Sequence, residues 1–197
     1  MRLCLALALL AAPAFAEEQR LDYTNFSAIE AKEGVSVYIE VGPIFTVTAR
    51  TDEGDLDYLT VKKFGQWLVF NRDSRWWFLP NGRDDKFEII ITLPELTEVK
   101  ALDFSAVTVV GGQGETLRAE ASKNGDLILQ GIDYTKTTLV VTDGGTLSAT
   151  GNCAGLAFLN TEVTDAADCT VELAARVGEE HAFTLPEQPE EDAAPEG

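Results

Sequence analysis

The chain has 197 residues, with 33 Asp and Glu against 15 Lys and Arg, for a formal net charge of −18. Such a surface repels nucleic acid and anionic lipid headgroups and favours cations or basic partners. The length suffices for one domain with a sizeable core, so one domain is the simplest count.

Reading from the start, Arg2 is followed by the uncharged apolar run Leu3 to Ala12, then Pro13 and the small-residue motif Ala14-Phe15-Ala16. That layout predicts a cleavable secretory signal over residues 1–16, a mature chain from about Glu17, and a periplasmic or cell-surface location. Cys4 sits at the start of the apolar run and not at the cleavage point, which disfavours lipid anchoring. The run is far short of the ~20 residues that cross a bilayer, and no later stretch is longer, so no transmembrane segment is expected in the mature chain. Loss of Arg2 with the signal leaves 14 basic against 33 acidic side chains, a charge of −19.

Beyond the signal, period-two alternation dominates: Val35 to Ile39, Phe45 to Ala49, Phe87 to Ile91 and Thr170 to Leu173 read as strands. Turn signals such as Glu53-Gly54, Lys63-Phe64-Gly65, Asn124-Gly125 and Gly144-Gly145 separate them, giving an all-β domain. Arg72 to Asp85 reads as an inserted loop carrying Arg75-Trp76-Trp77-Phe78. Aromatics beside arginine suit a protein or glycan contact. The same indoles could instead fold back to cover the domain.

The second half repeats. Val107, Leu127 and Leu147 are twenty residues apart, with Cys169 twenty-two further on; Val109, Leu129, Ala149 and Val171 follow two places later, then Gly111, Gly131 and Gly151. Ala101, Ala121, Val141 and Val163 form a parallel series, and the spacing extends back to Phe87 and Trp67. Recurrence of residue size at a fixed offset predicts a parallel, right-handed β-helix (β-solenoid) with coils of about twenty residues over 17–176. A meander sandwich is the competing fold. Open solenoid ends need caps, for which the N-terminal strands and the C-terminal tail are candidates.

Cys153 and Cys169 remain once Cys4 is removed, and an exported compartment permits a bridge between them. Two small buried hydrophobes is the other reading. Past Arg176 no basic residue occurs, whereas seven acidic ones are mixed with Pro186, Pro189 and Pro195, so 177–197 is expected to be a flexible tail able to engage a basic partner.

The order of several segments resembles the auto-transporter adhesin head GIN domain family of exported bacterial proteins. They are Phe26-Ser27-Ala28-Ile29, Gly34-Val35-Ser36-Val37, Leu59-Thr60-Val61, Gly65-Gln66-Trp67-Leu68-Val69 and Ile91-Thr92-Leu93-Pro94-Glu95-Leu96. The likeness continues through Asn124-Gly125-Asp126-Leu127, Gly144-Gly145-Thr146-Leu147 and Ala166-Ala167-Asp168-Cys169, covering Asn25 to Ala175. It implies a β-solenoid fold and supplies no catalytic or ligand residues. The family's glycine-serine-glycine turns are degraded here.

Chemistry is sparse. His181 is the only histidine and lies in the expected tail, which argues against a Ser-His-Asp centre and a histidine zinc site. Asp126, Asp143, Asp165 and Asp168 recur beside turns; carboxylates there could serve a glycan-cleaving enzyme or a cation, yet Asp at a turn ordinarily accepts backbone hydrogen bonds. Gly111-Gly112-Gln113-Gly114 is followed by neither lysine nor helix, so a coil corner suits it better than a phosphate cradle. No cofactor or metal is expected. The sequence thus points to a non-enzymatic extracytoplasmic binding or structural module whose partner is an envelope protein or glycan. An envelope carbohydrate-active enzyme is the alternative.

Overall fold

Alternation decides which way each side chain faces. Along β3 (Ser36–Val41), Val37 and Ile39 are buried while Ser36, Tyr38 and Glu40 face outward. The same pattern runs through β7 (Phe87–Leu93), β9 (Ala106–Val110) and β12 (Thr146–Gly151). A computed structural model describes residues 17–52, 55–73, 86–151, 169–174, 178 and 180–184. These are all-β apart from a 3₁₀ turn at Leu56–Tyr58, and they form one curled, mixed sheet, a half-barrel.

The half-barrel has two walls. In the first, β7, β3, β9, the start of β11 (Asp126–Thr142) and β12 lie parallel. The second stacks β6 (Trp67–Arg72), β2 (Ala28–Ala31), β8 (Glu98–Leu102), β10 (Gln113–Ser122) and the end of β11, also parallel. Strand β11 belongs to both walls, and from β8 to β12 the chain alternates between them. The twenty-residue offset is therefore a pairing register: Val107 lies beside Leu127 and Leu127 beside Leu147, as Ala101 lies beside Ala121 and Ala121 beside Val141.

The period does not extend back as expected. Below Val107 comes Val37, seventy residues earlier, and only below that Ile89. The β2–β3 pair is inserted between β6–β7 and β8–β9, so Phe87 and Trp67 are not the preceding coil of Val107. At the far end β13 (Cys169–Ala174) runs antiparallel to β12, placing Leu173 and not Cys169 beside Leu147. Only the Ala149–Val171 pairing survives the reversal.

Antiparallel strands close every end of the two parallel stacks. β4 (Thr46–Thr51) covers β7 and β1 (Glu17–Arg20) covers β4; β5 (Leu59–Phe64) covers β6. β13 covers β12, and β14 (Glu180–Thr184) covers β11. Strand β14 lies inside the stretch expected to be a flexible tail: main-chain pairing to an open edge needs no apolar side chain. Antiparallel caps also make the sheet mixed where a wholly parallel one was expected.

Inward ladders form the core. On the first wall Ile89, Val37, Val107, Leu127 and Leu147 are at most 3% exposed; on the second Phe70, Ala31, Ala101, Ala121 and Val141 are fully buried. Large side chains on one wall thus accompany alanines on the other, the alternation by which packed layers interdigitate. On the outer face of the second wall Glu98, Lys100, Arg118 and Glu120 form a lattice of ion pairs at 3.4–3.6 Å, each partly exposed and worth little individually.

Candidate functional site

Among the described residues four corners carry the chain from the second wall to the first, and all are built alike. Each has two successive left-handed residues: Glu33-Gly34 (φ 54 and 76), Asp103-Phe104 (51 and 64), Lys123-Asn124 (52 and 61) and Asp143-Gly144 (47 and 80). The following amide closes each turn on the carbonyl three residues back: Val35 on Lys32, Ser105 on Leu102, Gly125 on Ser122 and Gly145 on Thr142. These are primed turns, which demand positive φ at both central positions and favour Asn or Gly at the second. Neighbouring turns are laced together, Gly34 N–H donating to the Asp103 carbonyl (3.0 Å), Phe104 to Lys123 (3.1 Å) and Asn124 to Asp143 (3.1 Å).

Gly, Asn and Gly occupy the second position in three corners; Phe occupies it in the fourth. Phe104 is a bulky residue at φ 64, a conformation costing an L-residue roughly 1–2 kcal/mol, and its side chain is 73% exposed. Burial therefore does not repay the strain. Its neighbours in the stack are Gly34, which has no side chain, and the short Asn124, so the ring stands clear of the corner edge. At its foot Lys123 pairs with Asp103 at 3.4 Å. Backbone strain of this kind concentrates at functional positions, which singles out Phe104 as a candidate contact.

Comparison with known proteins bears on what this edge belongs to. Residues 25–174 match the family described as "putative auto-transporter adhesin, head GIN domain". The chain belongs to that family. Two solved structures share its fold: an adhesin candidate from Parabacteroides distasonis ATCC 8503 (TM-score 0.56, 15% identity, 68% of this chain and 56% of that one) and another from Bacteroides fragilis NCTC 9343 (TM-score 0.53, 15% identity, 61% and 56%). At that identity the likeness is one of fold. The matched region spans little more than half of either chain. No match was found among curated proteins.

Several residues singled out from the sequence of this head GIN domain lie outside the described residues: the signal 1–16, Arg75-Trp76-Trp77-Phe78, Cys153, Asp165 and Asp168. Cys169 is on β13 opposite Gly151, and His181 is on β14 opposite Val141. Asp126 accepts the Thr146 hydroxyl from the next strand, and Asp143 accepts the Gly178 N–H at 3.0 Å. Both thus hold turns and strands together. Gly111 and Gly112 take φ 71 and 118 at the corner leaving β9. Among the described residues no three His, Cys, Asp or Glu side chains group as metal ligands, and no helix is long and apolar enough to cross a membrane. Phe104 was missed, although its signal is in the sequence: carried one step past the strands, the period aligns Phe104 with Asn124 and Gly144.

Proposed function

We propose that the mature chain is a non-enzymatic extracytoplasmic binding module, adhesin-like in use, which presents Phe104 to an envelope protein or glycan. The observation that carries this is the exposed aromatic at a left-handed corner position where three equivalent turns use Gly or Asn. The twenty-residue register supports reading 17–176 as one right-handed β-solenoid domain of two-strand coils, with the β2–β3 coil threaded out of sequence. The signal reading of 1–16, together with the adhesin description of the family, supports export to the periplasm or cell surface. The charge of −19 on the mature chain, 14 basic against 33 acidic side chains, argues for a neutral or basic partner over nucleic acid. An enzyme using Asp126 and Asp143 is the weaker reading, because those carboxylates already serve Thr146 and Gly178.

The test is retention of purified protein on immobilised envelope material. Wild type should be retained and Phe104→Asn should wash through, with folding verified by thermal melting; equal retention of the two would overturn the assignment of the contact to this corner. Trp76→Ala/Trp77→Ala in the same assay tests the tryptophan segment.

A further inference from the structure

The outward face of the first wall carries a row that differs from the rest of the surface. Direct strand partners, taken in order from β4 to β12, place Thr48 beside Ile90, Ile90 beside Tyr38, Tyr38 beside Thr108, Thr108 beside Ile128 and Ile128 beside Ser148. All six alternate with buried neighbours along their strands and so point away from the core. At about 4.8 Å per strand the row is roughly 24 Å long. It ends at the register positions of Arg20 on β1 and Glu172 on β13, and no charged residue interrupts it.

Thr, Ile and Tyr suit outward strand positions anywhere, so composition alone is no signal. The second wall supplies the contrast, because its outward positions hold Glu98, Lys100, Arg118 and Glu120, paired with one another. On the first wall the hydroxyls of Thr48, Tyr38, Thr108 and Ser148 have no hydrogen-bond partner among the described residues. Between them lie the aliphatic side chains of Ile90 and Ile128, and Tyr38 is 39% exposed. The row is thus a line of unengaged donors and acceptors interspersed with apolar surface. Glu40 and Asp126, the next outward positions on the strands of Tyr38 and Ile128, put negative charge on either side of it.

We propose that this row binds a neutral, linear polysaccharide lying across the strands. Sugar hydroxyls donate to and accept from Ser, Thr and Tyr hydroxyls, and sugar C–H faces cover the isoleucines and the Tyr38 ring. A row one side chain wide and six strands long matches a linear polymer and not a compact ligand. A second copy of this chain fits it poorly: a stable interface needs about 800 Å² per partner, and two mature chains of charge −19 repel. The same charge, with Glu40 and Asp126 beside the row, opposes uronic-acid polymers. The inference takes from the proposed function only the extracytoplasmic setting in which glycans are met, and Phe104 is not part of the row.

The experiment is calorimetric titration of the full mature chain with neutral linear oligomers of hexose and of N-acetylhexosamine, in increasing length, alongside a uronic-acid oligomer. Neutral oligomers should bind, and affinity should rise with length until the row is covered. Thr108→Glu, which places a carboxylate mid-row, and separately Tyr38→Ala should each weaken binding of the longest oligomer about tenfold, the effect of one lost aromatic or hydrogen-bonded contact. Because Tyr38 is exposed, its variant keeps the test valid if thermal melting shows that Thr108→Glu does not fold. Phe104→Asn should leave oligomer binding unchanged, which separates failure here from failure of the attachment role. The proposal would be overturned by absence of binding to every neutral oligomer, by affinity independent of length, or by preference for the uronic-acid oligomer. Indifference to Tyr38→Ala, or a dimer in sedimentation that Thr108→Glu dissociates, would overturn it equally.

Discussion

Gly145→Ala measures how tightly the turns stack. Gly145 follows the left-handed pair Asp143-Gly144, and a Cβ on it would come within 2.4 Å of the Ala121 carbonyl oxygen and 2.6 Å of its carbon. Ordinary contact begins near 3.4 Å, so the two backbones must part by about 1 Å. The obstacle is main chain of β10, held on both sides by β8 and β11, and cannot swing aside as a side chain would. Overpacking costs about 1–3 kcal/mol, and a ladder hydrogen bond lengthened by that shift adds about 1 kcal/mol, giving roughly 3 kcal/mol. Gly65→Ala is the control. Gly65 also lies in a turn, at φ 58, but nothing is within 4 Å of its would-be Cβ, so only the left-handed cost of roughly 1–2 kcal/mol applies. Urea denaturation of the two variants against wild type should place Gly145→Ala well below Gly65→Ala. A Gly145→Ala loss no greater than that of Gly65→Ala would refute the twenty-residue stacking of the corners.

Leu127→Ala, which empties a fully buried rung between Val107 and Leu147, should cost about 2–5 kcal/mol by denaturant titration, against well under 1 kcal/mol for the half-exposed Ser148→Ala. Burial, and secondarily the Glu95 carboxylate, pushes the Tyr134 phenol from 10 up to about 12. Its neutral form is favoured in the folded state, so this stabilisation is complete below pH 10 and is lost as pH rises towards 12. Unfolding midpoints across that window should fall for wild type and fall less for Tyr134→Phe. Phe104→Asn should raise stability by about 0.5–1 kcal/mol, since relief of roughly 1–2 kcal/mol of strain exceeds the small apolar area lost with a ring 73% exposed.

How much of this was legible in the sequence follows from what periodicity can see. Ladders whose rungs are consecutive in the chain, such as Val107-Leu127-Leu147, announce themselves at a fixed offset. The pairing of Val107 with Val37 does not, because the insertion of β2–β3 between later strands leaves no constant spacing. Direction is equally hidden: Val171 falls beside Ala149 whether β13 is parallel or reversed, and it takes the other pairs, such as Leu147–Leu173 and Gly151–Cys169, to reveal the reversal. Composition alone makes the β14 stretch look flexible because it reports side-chain burial, whereas the strand's place rests on main-chain pairing with Thr138 to Thr142. The groove lined by Val41, Pro43, Pro94, Gln113 and Asp133 draws on four separate chain segments, and nothing local to Gln113 or Asp133 marks them as neighbours.

The measurement closest to the central claim is attachment of Phe104→Asn compared with wild type on the same envelope surface, read alongside its unfolding free energy. The expected result is a protein at least as stable as wild type that no longer attaches. A variant that attaches as well as wild type would contradict the account, as would one whose loss of attachment simply follows a loss of stability.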